Sequence, residues 1–382
     1  MNSTEAFFID CVKAGIKQEK ITEIPAALNY KKLYRLCACH SVSVIVFDAL
    51  DGIKDELPRA FLEALKRSVQ RHIIKDVQSD ADQKTVMNAF ENGGVKYMPL
   101  KGYHLKTLYP KTEMRYASDC DILIDVSEIK KVRKIVKESG LKIKRYDEHH
   151  DIVYFDETKS IFELHKMLFV GKLGEYFGVG FEKAKLKDGY KYYYELSPED
   201  FYITMLAHSA YHFAEGGGVG IRHLTDIFVF RRKYGLNEEY LKTELEKCGL
   251  RIFQLQFEKL EKYFFEDGES DEFILQLADY VLSSSLLGNE KKKSASDISA
   301  NDTKANTIFR IIFPPVSKME FSYPILKKAV FLLPLFYVVR WFRVLFKTPK
   351  RLSKMKQIKA VSEAEIEEVK RIREGLGING LK

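Results

Sequence analysis

The stretch "RYASDCDILID" (residues 115–125) decides how this chain is read. Two aspartates one residue apart run straight into an apolar, strand-like segment. Side chains alternate along a strand, so Asp119 and Asp121 share one side while Cys120 and Ile122 share the other. Two carboxylates that close raise the cost of ionising both, and a divalent cation between them removes that cost. Oxygen ligands suit Mg²⁺ or Mn²⁺ rather than zinc. Taken alone, the pair favours a plainer alternative, in which Asp119 caps a turn with Ser118 and Asp121 sits on a solvated strand edge.

The neighbouring segments shift the balance. Upstream, "VKYMPLKG" (95–102) ends a short strand and opens a helix at Gly102. Free backbone N–H groups there can hold phosphate, and Lys101 adds a cation. Downstream, "IFELHKML" (161–168) supplies a strand with Glu163 and His165 on one face. Three carboxylates on neighbouring strands beside a glycine turn form a site suited to two-metal phosphoryl chemistry.

The grammar around this centre is strand, helix, strand, helix, then three strands, which predicts a small α+β unit over 93–196. Residues 1–92 read as helical, ending in a long helix that opens at Pro58 and stops at Gly93-Gly94. Helical periodicity resumes over 197–285, where Ser197 and Asp200 form a cap. Residues 286–306 are polar and without apolar periodicity and are expected to be a mobile loop. Residues 307–382 read as a helical, basic region whose last helix is capped by Ser362 and Glu365.

Composition is compatible with this plan. The chain has 382 residues, of which 46% are hydrophobic and 30% charged, enough for a sizeable core and against wholesale disorder. The 62 basic and 54 acidic residues leave a net charge of +8, a mild bias toward anionic partners. Five scattered cysteines without a CxxC pair fit reduced thiols, and "MNSTEAFFIDCVKAG" lacks a basic-then-apolar leader, so a cytoplasmic location is expected. The apolar run at 329–346 is broken by Pro334, Arg340 and Arg343 and is expected to lie buried or on a surface rather than to span a membrane.

Together, "VKYMPLKGYHLKTLYP", "MRYASDCDILID" and "IFELHKML" resemble the nucleotidyltransferases of the DNA polymerase β superfold, in particular a poorly characterised bacterial branch with an LKG turn. The resemblance runs from "LYRLCACHSVSVIVFDAL" through "IRHLTDIFVF" and thins after about residue 285. It implies a polymerase-β-like core, a small mixed sheet with helices, flanked by N- and C-terminal helical regions. It also implies that Asp119, Asp121 and Glu163 hold two Mg²⁺ (or Mn²⁺) ions and that Lys101, Gly102 and Tyr103 hold the nucleotide phosphates. Arg115 and Ser118 are expected on the nucleotide side, Arg115 either contacting the triphosphate or, in a supporting role, buttressing the carboxylates. Tyr103 stands where many relatives have serine, and Glu163 where aspartate is commoner. The implied reaction moves an NMP from an NTP to a hydroxyl or phosphate of an acceptor (RNA, protein or small molecule), releasing pyrophosphate. The alternatives are a non-catalytic nucleotide-binding scaffold that keeps the fold, and a small-molecule phosphotransferase that would release NDP.

On the substrate side the expected residues are His165, His208, Arg222 and Asp226. His208 and His212 have helical zinc-ligand spacing but no third ligand, so they read as packing residues or as facing the acceptor. Arg222 and Asp226, four apart, are expected either to pair on one helix or, as the resemblance places this helix beside the active site, to leave Arg222 meeting a phosphate. His149 and His150 are expected in an exposed polar turn. The basic run at 347–359, with six lysines and arginines and no acid, reads as a solvated linker or as a contact for an anionic surface, lipid or RNA.

Overall fold

A computed structural model of the chain describes every residue except 118, 147, 216, 286–288, 302, 348, 349 and 382. The chain opens with α1 (Ser3–Lys17), α2 (Tyr30–Cys39) and α3 (Ser43–Ala49), followed by the 35-residue α4 (Arg59–Gly93). At 1.5 Å per residue α4 is about 50 Å long, and it serves two cores. Its first half contributes Phe61, Leu65 and Val69 to the helical core, and its last turns contribute Val86, Met87 and Phe90 to the sheet core. Gly94, at φ 67, ends it in the left-handed conformation that only glycine adopts without strain.

The expected strand–helix alternation then follows: β1 (Tyr97–Pro99), the single-turn α5 (Gly102–Leu105), β2 (Asp119–Ile124), α6 (Ile129–Glu138), β3 (Lys142–Tyr146), β4 (His150–Tyr154) and β5 (Ile161–His165). They form one mixed sheet in the order β1-β2-β5-β4-β3, in which β2 and β5 are parallel and the other pairs antiparallel. Cys120, Ile122, Phe162 and Leu164 point to the face covered by the end of α4 and by Val132 and Val136 of α6. That leaves the alternate residues of β2 and β5 on the other face.

After α7 (Gly171–Phe177) and the short hairpin β6 (Lys185–Leu186) and β7 (Tyr194–Glu195), five helices follow: α8 (Pro198–Ala214), α9 (Ile221–Lys233), α10 (Glu238–Lys247), α11 (Arg251–Phe265) and α12 (Glu272–Leu282). The hydroxyl of Ser197 caps α8 by accepting from the Asp200 N–H. The residues of α1 to α3 and of α8 to α12 share a single hydrophobic core, so the chain returns after the sheet to complete what its N-terminus began.

The region expected as a loop at 286–306 differs. Residues 286–288 and 302 lie outside the described residues, but α13 (Glu290–Ala300) is a helix capped by Asn289, and α14 (Lys304–Ile312) begins within the same stretch. Ser294, Ala295, Ser296 and Ile298 of α13 are buried. Three of these four are small or polar, so an apolar-periodicity reading passes over the face that packs. The chain continues through α15 (Val316–Ser322), α16 (Leu333–Lys347) and α17 (Lys350–Ala360) to α18 (Glu363–Gly375). The last helix carries the expected Ser362–Glu365 capping box. Among the described residues no helix is long and apolar enough to cross a membrane.

Candidate active site

The parallel register of β2 and β5 sets Asp121 level with Glu163 and Asp119 level with Ile161. One ligand atom from each of Asp121, Glu163 and His165 lies within 4.8 Å of the others. The His165 Nε2 atom is 3.1 Å from Asp121 Oδ1 and 3.8 Å from Glu163 Oε2. His165 therefore stands inside the carboxylate group, where the sequence had suggested the substrate side. Asp119 lines the same cavity but falls outside that trio. Two carboxylates and an imidazole are a chemically sound donor set for a divalent cation, and the nitrogen suits first-row transition ions better than Mg²⁺.

The charges carry the mark of that crowding. Burial, then the charges of Asp121 and Asp119, push the Glu163 carboxyl above its ordinary value. Burial pushes Asp121 up as well, but the Lys101 ammonium and the His165 hydrogen bond outweigh it and hold Asp121 well below the usual carboxylate range. The Lys101 Nζ atom lies 3.5 Å from Asp121 Oδ2. Its backbone, at φ 29 and ψ −85, is strained for a residue with a side chain. That strain sits at the turn expected to meet phosphate. Next to it, Gly102 packs so that a Cβ there would meet Arg115 Nη1 and Ala117 Cβ at 3.4 Å, an ordinary contact distance.

A histidine relay leads away from Lys101. Its ammonium lies 2.8 Å from His208 Nδ1, and His208 Nε2 is 3.0 Å from His212 Nε2. The same ammonium is 3.1 Å from His208 Nε2, and since an ammonium can only donate, whichever His208 nitrogen it bonds is the acceptor. Burial and the Lys101 charge depress both imidazoles, His212 to about 4, which keeps them neutral near pH 7. His223 stacks on His208 at 5.6 Å and meets Ser209 Oγ at 3.0 Å. Its place one residue after Arg222 on α9 carried no periodicity that would single it out.

The expected Arg222–Asp226 helix pair does not form. Asp226 is instead claimed by Arg115, whose Nε and Nη2 donate to its two oxygens at 3.0 and 2.9 Å, with the Tyr109 hydroxyl donating at 2.7 Å. A planar guanidinium across the cleft matches the carboxylate in two bonds and occupies both of its oxygens. Arg222 donates from Nη1 to the Tyr116 carbonyl at 2.7 Å, and burial followed by the nearby Arg115 charge brings its guanidinium down to about 10. His150, expected in an exposed turn, is instead half-buried on β4 opposite His165, with the two rings stacked at 5.6 Å. His149 is exposed at the cavity mouth.

These groups line one cavity of about 460 Å³, with Lys101, Gly102, Asp119, Asp121, Glu163 and His165 on the sheet side and His208, His212, Arg222 and Asp226 on the α8–α9 side. Tyr103 is not part of it. It lines a smaller adjoining recess that shares Gly102, Arg115, Asp119 and Asp121 with the cavity and also holds Asp76, Asp80 and Lys106. There Lys106 donates to Asp76 at 2.9 Å and to Asp80 at 2.7 Å, tying α4 to the turn. Ser118, expected on the nucleotide side, lies outside the described residues.

A family model described as an uncharacterised nucleotidyltransferase matches residues 26–265, from just before α2 to the end of α11. No curated protein matches the chain, and no solved structure does.

Proposed function

The chain belongs to this uncharacterised nucleotidyltransferase family, and from that premise we propose that it transfers an NMP from an NTP to an acceptor hydroxyl or phosphate, with release of pyrophosphate. The observation that carries the reading is the Asp121–Glu163–His165 trio opening, with Asp119, into the same cavity as the Lys101–Gly102 turn. A volume of about 460 Å³ lies within the range of small-ligand sites.

In this reading Asp119, Asp121, Glu163 and His165 hold the divalent metal, two ions in the full complement. When bound, the metal neutralises the triphosphate and lowers the pKa of an acceptor hydroxyl. Lys101, 3.5 Å from Asp121 Oδ2, would hold phosphate oxygens together with the Gly102 amide. Arg115, locked to Asp226, keeps the turn and the β2 entry in register and acts as a positioning residue. Arg222 and the neutral His208–His212 pair face the acceptor. The acceptor oxygen bonds to the α-phosphorus as the bond to the bridging oxygen of pyrophosphate breaks.

The test is incubation of the protein with α-labelled NTPs and cell lysate, in Mg²⁺ and in Mn²⁺. Label should move into an acceptor, more strongly with Mn²⁺ because of the His165 nitrogen, and Asp119→Asn with Asp121→Asn should abolish transfer. Release of NDP would replace the reading with a phosphotransferase. Absence of label with every NTP, together with nucleotide binding, would leave a scaffold.

A further inference from the structure

Outside the family-matched residues, the stretch 321–361 holds ten lysines and arginines and no aspartate or glutamate. Within it α16 is amphipathic in the inverse sense. Leu335, Val338 and Val339, spaced as one helical face, are 57%, 42% and 45% exposed. The polar groups of the opposite face are used internally. The Tyr337 hydroxyl donates to the Pro314 carbonyl at 2.7 Å, Arg340 to the Ile311 and Ile312 carbonyls at 2.9 and 3.1 Å, and Trp341 Nε1 to the Ile312 carbonyl at 2.9 Å. These bonds satisfy the carbonyls left open at the end of α14 and fix α16 with its aliphatic stripe outward. Phe331, just before the helix, is 81% exposed. Proteins seldom leave such a surface to water without a partner for it.

We propose that this face is a docking surface for an anionic membrane, with α16 lying in the plane of the lipid headgroups. The charge flanking the stripe selects the partner. Lys327 and Lys328 precede the stripe along the chain and Arg343 follows it, all three exposed, and Lys356 and Lys359 are exposed on α17. Lys354 is already paired with Asp297 at 2.8 Å, and positions 348 and 349 lie outside the described residues. An apolar stripe within a basic, acid-free segment is the pattern of an interfacial helix on acidic lipid. A second copy would bring the same cations against this face. RNA would find aliphatic Leu335, Val338 and Val339 where it needs stacking rings and hydrogen-bond donors. This inference does not rest on the nucleotidyl-transfer reading.

The full chain is floated on phosphatidylcholine vesicles with and without phosphatidylglycerol. Binding to the phosphatidylglycerol vesicles alone, weakened by high salt, is the expected result. Leu335→Asp with Val339→Asp should lower the bound fraction at least about tenfold, since two buried aliphatic side chains are removed from the lipid. Both positions are exposed, and unchanged circular dichroism confirms the fold. Lys327→Glu with Lys328→Glu should also weaken binding. No flotation on either vesicle, or equal binding to both, overturns the proposal. So does a wild-type dimer that the Leu335→Asp/Val339→Asp pair splits, or an RNA complex that it releases, in the absence of lipid binding.

Discussion

The residue that organises the cleft is Asp226. It is buried, and its carboxylate accepts from the Arg115 guanidinium on one side and from the Tyr109 hydroxyl on another. Arg115 reaches it from the loop before β2, so the pair spans the sheet and α9. Breaking such a pair by removing one partner is far worse than replacing both, because the survivor keeps its charge without compensation. Arg115→Met should therefore lower unfolding free energy by about 3–5 kcal/mol, measured by urea denaturation. Arg115→Met with Asp226→Leu should recover part of that loss. A loss below about 1 kcal/mol in the single variant would mean that water reaches Asp226. The motif "IRHLTD" shows an arginine and an aspartate four apart, a pattern that invites a local pair. A competing guanidinium more than a hundred residues earlier in the chain is invisible to that reading.

At the scale of elements, the five strands of the main sheet and the long α4 were legible because their periods are local. Alternation marks β2 and β5, and Pro58 and Gly94 bracket α4. The helix α13 was not legible. Its packed face is made of Ser294, Ala295, Ser296 and Ile298, and it docks against α18, where Arg373 Nη1 lies 3.4 Å from Ser296 Oγ. Small residues let two helices approach closely but contribute little apolar signal. Ile298→Ala should cost about 2–5 kcal/mol, as a truncated core aliphatic does. Thermal or urea unfolding checks this, and a change within about 0.5 kcal/mol would place Ile298 in an unpacked surface segment.

For the whole molecule, His40 pins the helical core together at the C-terminal cap of α2. The Ile221 N–H donates to its Nδ1 at 3.3 Å, and its Nε2 lies 3.3 Å from the Leu282 carbonyl, so the neutral ring joins α9 to the end of α12. Burial brings its pKa from 6.5 down to about 4. The unfolded chain therefore takes up this proton near pH 6.5, while the folded chain refuses it until about pH 4. Stability from this group is full above the higher value and is lost as pH falls between the two, by on the order of 3 kcal/mol in all. Glu261, pushed up to about 7 by burial, acts in the opposite sense. The His40 share is therefore read by urea unfolding as the difference between wild type and His40→Asn, and the variant should lose less stability than wild type as pH falls below 6.5. Equal losses would assign the acid sensitivity elsewhere. Asp119 and Asp121 sharing one side of a strand, Glu163 and His165 sharing one side of another, and helices flanking both are all readable along the chain. These follow from periods of two and 3.6 residues along a single segment. The parallel pairing of β2 and β5 with Asp121 beside Glu163, the entry of His165 into that group, the place of Tyr103 in the adjoining recess and the pairing of Asp226 with Arg115 come from the packed fold. A buried charge takes the partner that distance and geometry favour across space, and separation along the chain does not encode that distance.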